Sequence, residues 1–203
     1  MAAERVIVFA RPPVAGQVKT RLAAGVGAAR ALAVYEALLA HTCGAVRRAG
    51  FDARVHLAGD IPERDLWSEA GFTRLPQHGA DLGERMHDAF RTAFAEGVRK
   101  AVIIGTDCPG LTSATLHEAF QRLDEAEAVV GPADDGGYVL LGLTSPVRAI
   151  FENKVWSSDS VLADTLADFM RLGIDVARLE PMRDVDTTED LLALEQDFPW
   201  IRA

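Results

Sequence analysis

The chain predicts an α/β protein of three layers, α/β/α, with a mostly parallel but mixed sheet covered on both faces. Short β-branched runs alternate with segments of helical period from end to end, the pattern of strand–helix–strand units. Ala101-Val-Ile-Ile104 is apolar without alternation, as a strand buried on both faces must be. The runs 128–131 and 138–143 are separated only by a turn, so they can pair locally and make the sheet mixed.

In order, Arg5–Ala10 is the first strand, and 11–22 is a loop because Pro12 and Pro13 cannot continue a ladder. Leu32, Tyr35, Leu38, Leu39 and Val46 then recur at helical spacing up to a stop at Gly50. Asp52–Ala58 is a strand. Ile61–Ala70 is a short helix capped by Asp60 with Pro62 near its start, and Phe72–Leu75 is a brief strand. The loop Pro76–Gly83 feeds a helix with Leu82, Met86, Phe90 and Phe94 on one stripe, capped by Asp81 and ending near Gly97. After the central strand, Thr112 or Ser113 caps a helix that points Leu116, Phe120 and Leu123 inward. A short helix around Val147–Phe151 precedes one marked by Leu162, Leu166 and Phe169, stopping at Gly173. Asp175–Leu179 is a late strand, and Arg183–Leu191 opens the last helix. No repeat, low-complexity tract or linker interrupts this order, so residues 1–203 are expected to form one domain.

The totals narrow the function. At 203 residues, 49% hydrophobic and 25% charged, the composition is that of an ordinary globular protein. The net charge of −9 and the absence of a basic stripe speak against a nucleic-acid groove. No apolar run is long enough to span a membrane or serve as a signal segment. Cys43 and Cys108 lack metal-ligand spacing and read as free thiols in a reducing, cytoplasmic setting.

Three segments carry chemistry. Arg11, Lys19 and Arg21, with Gly16 between them, put three cations on the first strand-to-helix connection, which suggests an anion site at the carboxyl edge of the sheet. Cations at a helix start oppose the macrodipole, which weakens the alternative of a merely solvated helix end. The spacing is not that of a P-loop, and Gly25–Arg30 neither follows a strand nor completes a dinucleotide fingerprint. Asp107 ends the central strand, while Asp184 and Asp186 supply two more carboxylates. Asp107 with Asp186 meets the need of Mg2+, which takes one or two protein carboxylates and leaves its other positions to water and phosphate. The bland alternatives are an Asx-turn at Asp107 and a capping box over Thr187–Asp190. Asp134-Asp135-Gly136-Gly137-Tyr138 is a tight turn: its glycines allow the backbone to approach a ligand closely, and its acids could bind a hydroxylated substrate, add a metal contact or take a proton. The other reading is a plain hairpin. Gln77 and Arg85 belong to a loop-and-helix start of ligand-binding form, and Trp156 is either a pocket wall or core. No Gly-x-Ser-x-Gly elbow or Cys–His signature supports a hydrolase.

Taken together, Phe9–Leu22, Asp81–Met86, Ile104–Leu111, Gly131–Tyr138, Trp156-Ser157 and Asp184–Leu191 give the chain a resemblance. It resembles the radical-SAM/selenodomain-associated transferase family, glycosyltransferase-like proteins of the nucleotide-diphospho-sugar transferase superfamily with the GT-A fold. The resemblance implies a nucleotide pocket at the strand ends with the first loop over the phosphates. Asp107 stands where the superfamily keeps a metal-binding aspartate, and Asp186 where many relatives keep a second ligand. The first loop departs from sugar-nucleotide pyrophosphorylases, carrying two prolines and only Gly16 instead of a glycine-rich run.

The leading expectation is glycosyl transfer from a nucleotide sugar to a small acceptor. Mg2+ or Mn2+ on Asp107 and Asp186, with Lys19 and Arg21, would neutralise the leaving diphosphate, and Asp135 would take the acceptor's proton. On this expectation Arg11, Gly16, Gln77 and Arg85 join Lys19, Arg21 and Asp107 around the nucleotide. Asp134, Asp135, Gly136, Gly137, Tyr138 and Trp156 meet the other substrate. The alternative is nucleotidyl transfer from an NTP to a phosphorylated small molecule, which needs no base. A third is a nucleotide-binding regulatory module without turnover.

Overall fold

The computed structural model describes residues 3–202. Strand β1 (Glu4–Ala10) leads to helices α1 (Thr20–Val26) and α2 (Ala28–Ala49). Strand β2 (Asp52–Leu57), helix α3 (Leu66–Glu69), strand β3 (Thr73–Pro76), helix α4 (Leu82–Ala95) and strand β4 (Lys100–Ile104) follow. Then come α5 (Ser113–Arg122), β5 (Ala128–Pro132), β6 (Tyr138–Leu143), α6 (Val161–Leu172), β7 (Val176–Arg178) and α7 (Thr188–Leu194). Single 3-10 turns lie at Arg148–Phe151 and Pro199–Arg202.

The seven strands lie in one sheet in the order β3-β2-β1-β4-β6-β5-β7. Strands β1 to β4 run parallel to one another. β6 is antiparallel to both β4 and β5, and β7 returns parallel to β5, so the sheet is mixed as expected. Strand alternation divides the core into two layers. Val6, Val8 and Ala10 face Tyr35, Leu39 and Val46 of α2 and Leu116 and Phe120 of α5. Ile7 faces the other way, with Met86 and Phe90 of α4 and Phe169 of α6. A third cluster lies at the edge: Leu22 of α1, Val34 and Leu38 of α2, Val185 and Leu191 of α7 pack together, fully buried or nearly so.

This order puts a topological switch between β1 and β4. The chain leaving β1 continues toward β2, and the chain leaving β4 continues toward β5 and β6. Their carboxyl ends therefore open a crevice between diverging connections, the place where open α/β sheets bind ligands.

Several elements differ from expectation. The helix expected over 61–70 is only Leu66–Glu69, and its cap is Asp65 rather than Asp60. Asp65 accepts from the Ser68 N–H at 2.8 Å while the Ser68 hydroxyl accepts from the Asp65 N–H, a closed capping box that outcompetes the earlier acid. The loop read over 11–22 ends sooner, because α1 begins at Thr20. Leu82 is exposed on the first turn of α4 rather than part of its inward stripe. In α6 the buried stripe is Val161, Thr165 and Phe169. Thr165 can occupy it because its hydroxyl donates to the Val161 carbonyl at 2.7 Å, which leaves a methyl for the core.

Candidate active site

A cleft of about 760 Å3 opens at the carboxyl ends of β1 and β4. Arg11, Lys19, Arg21, Gln77, Arg85, Asp107, Asp135, Gly137, Tyr138, Trp156 and Asp186 all line it, although the chain brings them from six separate segments. Gly16, Asp134 and Gly136 do not line it. Gly16 serves the first loop through a positive φ of 76°, while Asp134 is tied to the segment after β7, its N–H donating to the Met182 carbonyl at 3.2 Å.

The centre of the cleft is an ion cluster. The Lys19 side chain is 5% exposed, and its Nζ lies 2.5 Å from Asp107 Oδ1 and 2.8 Å from Asp186 Oδ1. Arg21 pairs with the second oxygen of Asp186. Burial works to lower the Lys19 pKa, but attraction from Asp107 and Asp186 outweighs it and the value is raised, so the ammonium stays charged. Asp186 is held below the usual carboxylate range: burial would raise it, and Lys19 and Arg21 prevail. Lys19 adopts left-handed backbone angles, φ 48° and ψ 45°, at the start of α1. For a residue with a Cβ that conformation costs roughly 1–2 kcal/mol, a strain typical of functional sites. The expectation gave the cations to phosphates and the acids to a metal; the structure pairs them with each other. Opposite charges on adjoining, partly desolvated loops do so in the absence of ligand.

Packing brings the acids together. Asp184, Val185 and Asp186 lie in the connection between β7 and α7, outside any strand. Val185 is fully buried in the edge cluster beside Leu22 and Leu191, which turns both flanking acids toward the cleft. The Val185 N–H donates to the Asp107 carbonyl at 2.9 Å, clamping this stretch to the end of β4. The helix cap is made by other residues: Asp190 N–H donates to Thr187 Oγ1, and the Asp190 carboxylate accepts from the Thr187 N–H. Asp186 is thereby left to Lys19. The glycine at 25, earlier set aside as a dinucleotide signal, has a packing role, since a Cβ there would fall 2.1 Å from Thr188 Oγ1 and push α1 from α7.

Asp184 lines the same cleft. Burial, and then the charges of Asp107, Asp186 and Asp135 against the opposing pull of Lys19, push its carboxyl up to about 8. The folded protein therefore keeps this proton across a window in which the unfolded chain has lost it. The stability it contributes is full below pH 4 and is lost as the pH rises through about 8. Buried His56 is pushed down to about 4 by desolvation and has the opposite effect, adding stability as the pH rises through 4 to 6.5. Between pH 6.5 and 8 the Asp184 trend is unopposed by His56. Metal-free protein is expected to lose stability there, and Asp184→Asn to flatten the slope, measured by urea unfolding at fixed pH values.

The rest of the wall comes from the β5–β6 turn and from residues 156–158. Asp135 Oδ1 accepts from the Gly137 N–H at 2.9 Å, leaving its other oxygen free. Gly136 has φ 87°, its carbonyl accepts from the Leu162 N–H at 2.9 Å, and a Cβ there would lie 2.1 Å from the Asp159 carbonyl oxygen. The turn is thus a hairpin turn as well as a cleft wall. Trp156, half-buried, packs its indole over Gly83, where a Cβ would come within 2.4 Å of the ring. On the opposite side of the sequence, the Gln77 side-chain amide donates to the His56 carbonyl at 2.9 Å. Arg85 Nε donates to the Gly79 carbonyl at 3.1 Å. Tyr35, read from the sequence as core alone, also lines the cleft. Its hydroxyl accepts from the Arg11 N–H at 3.0 Å and fixes the start of the first loop. Ser157 and Ser158, which follow Trp156 and were read with it as possible pocket lining, do line the cleft; Thr106 was missed, and nothing in its spacing announces it.

Among the described residues, no three His, Cys, Asp or Glu side chains are gathered so as to hold a metal by themselves. Asp107 and Asp186 nevertheless fit a hard divalent cation, being two carboxylates already converged on one positive charge, the Lys19 ammonium. No helix among the described residues is long and apolar enough to cross a membrane.

Comparison with known proteins agrees with this architecture. A crystal structure from Desulfovibrio desulfuricans, provisionally described as a nucleotide-diphospho-sugar transferase, is 30% identical. The match covers 97% of this chain and 88% of that one, with a TM-score of 0.86. The 4-diphosphocytidyl-2C-methyl-D-erythritol synthase of Anaerococcus prevotii shares the fold at 12% identity, with coverage of 98% and 99% and a TM-score of 0.62. Rv0371c of Mycobacterium tuberculosis, in complex with manganese, shares it at 19% identity, with coverage of 97% and 99% and a TM-score of 0.53. No curated protein matches the chain. The fold is that of the nucleotide-diphospho-sugar transferases. Residues 39–158 match the family described as "Uncharacterized protein conserved in bacteria (DUF2064)", and the chain belongs to that family.

Proposed function

We propose that the protein is a metal-assisted transferase that uses a nucleotide sugar as donor and passes the sugar to a small hydroxylated acceptor. The observation that carries the reading is the Asp107–Lys19–Asp186 cluster at the β1/β4 switch, directly beneath a basic loop. Arg11, Lys19, Arg21 and Arg85 line one cleft beside Asp107, Asp135 and Asp186, so a chain of net charge −9 gathers there four cations that a diphosphate could engage. Mg2+ or Mn2+ held by Asp107 and Asp186 would supply Lewis-acid stabilisation of the departing phosphates. The manganese complex of Rv0371c and the resemblance to radical-SAM/selenodomain-associated transferases support this assignment.

The chain's own groups do the rest. Tyr138 and Trp156 offer aromatic surfaces of the kind that pack against a sugar ring. Asp135, oriented by the Gly137 N–H, takes the proton of the acceptor hydroxyl through its free oxygen. The acceptor oxygen then bonds to the anomeric carbon as the bond from that carbon to the diphosphate oxygen breaks, and the nucleoside diphosphate leaves. Arg21 and Arg85, both reaching the cleft, stabilise the charge on it.

The same four cations favour a second reading, nucleotidyl transfer from an NTP to a phosphorylated acceptor, and the cytidylyltransferase-type neighbour shares the fold. A thermal-shift panel of NTPs, NDPs and NDP-sugars, with and without Mg2+ or Mn2+, separates the two. The expected result is a metal-dependent rise that is larger with one NDP or NDP-sugar than with any NTP. A larger rise with an NTP selects nucleotidyl transfer, and no rise with any nucleotide overturns both. Asp135→Asn is then expected to lower turnover about a hundredfold with nucleotide binding intact. Near-normal turnover would remove Asp135 as base.

A further inference from the structure

Resting on the reading of the cleft as a metal–nucleotide site, we propose that Lys19 is its resident counter-ion. It holds Asp107 and Asp186 together before nucleotide binds and surrenders them to the metal only when phosphates are present to take its ammonium. Metal and nucleotide would then enter together rather than metal first.

Three observations carry the inference. Nζ sits between one oxygen of each acid, 2.5 and 2.8 Å away, so a cation that used both carboxylates would have to displace it. The second oxygen of Asp186 is taken by Arg21, which leaves that acid little free capacity while both cations stay in place. The residue type also suits the role. Lysine appears three times in the chain against eighteen arginines, and its ammonium is a compact point charge that can stand where a small ion would. A planar guanidinium would spread over several acceptors instead. Expelling the ammonium into water without a new partner would cost its two ion pairs. A phosphate oxygen offers the replacement, so the exchange is favourable only with nucleotide bound. Lys19 is in this sense a gate on metal occupancy as well as a phosphate ligand.

The test uses Mn2+ alone, titrated by calorimetry into the nucleotide-free wild type and Lys19→Met. Removal of the competing ammonium is expected to tighten Mn2+ binding at least tenfold. Equal affinities overturn the proposal. A second measurement uses the wild type only, in case the variant does not fold. Reductive methylation, read by mass spectrometry, should find Lys19 protected without metal and still protected in excess Mn2+ alone, with Lys100 and Lys154 as internal references. Lys19 that becomes labelled in Mn2+ alone overturns the proposal. Equal affinities together with a metal-dependent nucleotide shift overturn this inference alone. Absence of Mn2+ binding by either protein, with or without nucleotide, overturns it along with the metal assignment.

Discussion

Asp107→Asn is expected to lower turnover at saturating nucleotide by roughly a thousandfold while leaving the chain folded. The side chain is 41% exposed, so the substitution buries no orphaned group, and Lys19 keeps Asp186 as partner. What is lost is the carboxylate just beyond the end of β4 that, on the proposed reading, would hold the metal against the phosphates. An amide of the same shape keeps the geometry and removes the charge, which makes the substitution a test of electrostatics rather than of packing. The readouts are kcat with the nucleotide chosen by the thermal panel, and the metal dependence of nucleotide binding. A kcat within about threefold of wild type would remove Asp107 from the chemistry. Weakened binding without a rate effect would describe a nucleotide-binding module with no turnover.

The second large effect is on stability. Gly136→Ala is expected to cost about 3 kcal/mol, a fall in Tm of roughly 6 to 12 °C for a chain of this size. Two independent penalties combine. The φ of 87° is disfavoured for any residue with a Cβ, and that Cβ would meet the Asp159 carbonyl oxygen at 2.1 Å. The backbone of residue 159 cannot yield easily, because it leads into α6, whose Leu162 N–H donates to the Gly136 carbonyl. Differential scanning calorimetry gives the answer. A Tm within 2 °C of wild type would mean that the turn and the 157–160 segment do not press on each other as described.

Gly136 also shows where sequence reading falls short. The glycine pair at 136 and 137 was legible as a tight turn, but the close approach was expected to be to a ligand. The thing approached is the chain itself at Asp159, because sequence records that a Cβ is excluded and not what excludes it. The acids at 107 and 186 were legible because they end strand-like runs, and the first loop because three cations there oppose a helix dipole. Their mutual pairing was not legible. It depends on Val185, an ordinary apolar residue whose burial decides which way its neighbours face. The mixed sheet followed from consecutive strands with only a turn between them. The misplaced start of α3 came from a choice between two aspartates five positions apart, which only the Ser68 partner resolves.

The Lys19–Asp186 pair joins residues 167 positions apart, close to the full span of the chain. Contacts so distant in sequence close the largest loop available and are among the last to form. The strands from β1 to β6 can assemble their sheet before residue 184 is in place, whereas the ion cluster cannot exist until the Val185 stretch has docked against β4. A chain cut short just before Asp184 would retain most of the sheet yet lack Asp186, leaving the Lys19 ammonium with only one of its carboxylates. The ion cluster is thus complete only where the two ends of the chain meet, with the 184–186 stretch docked against residue 107.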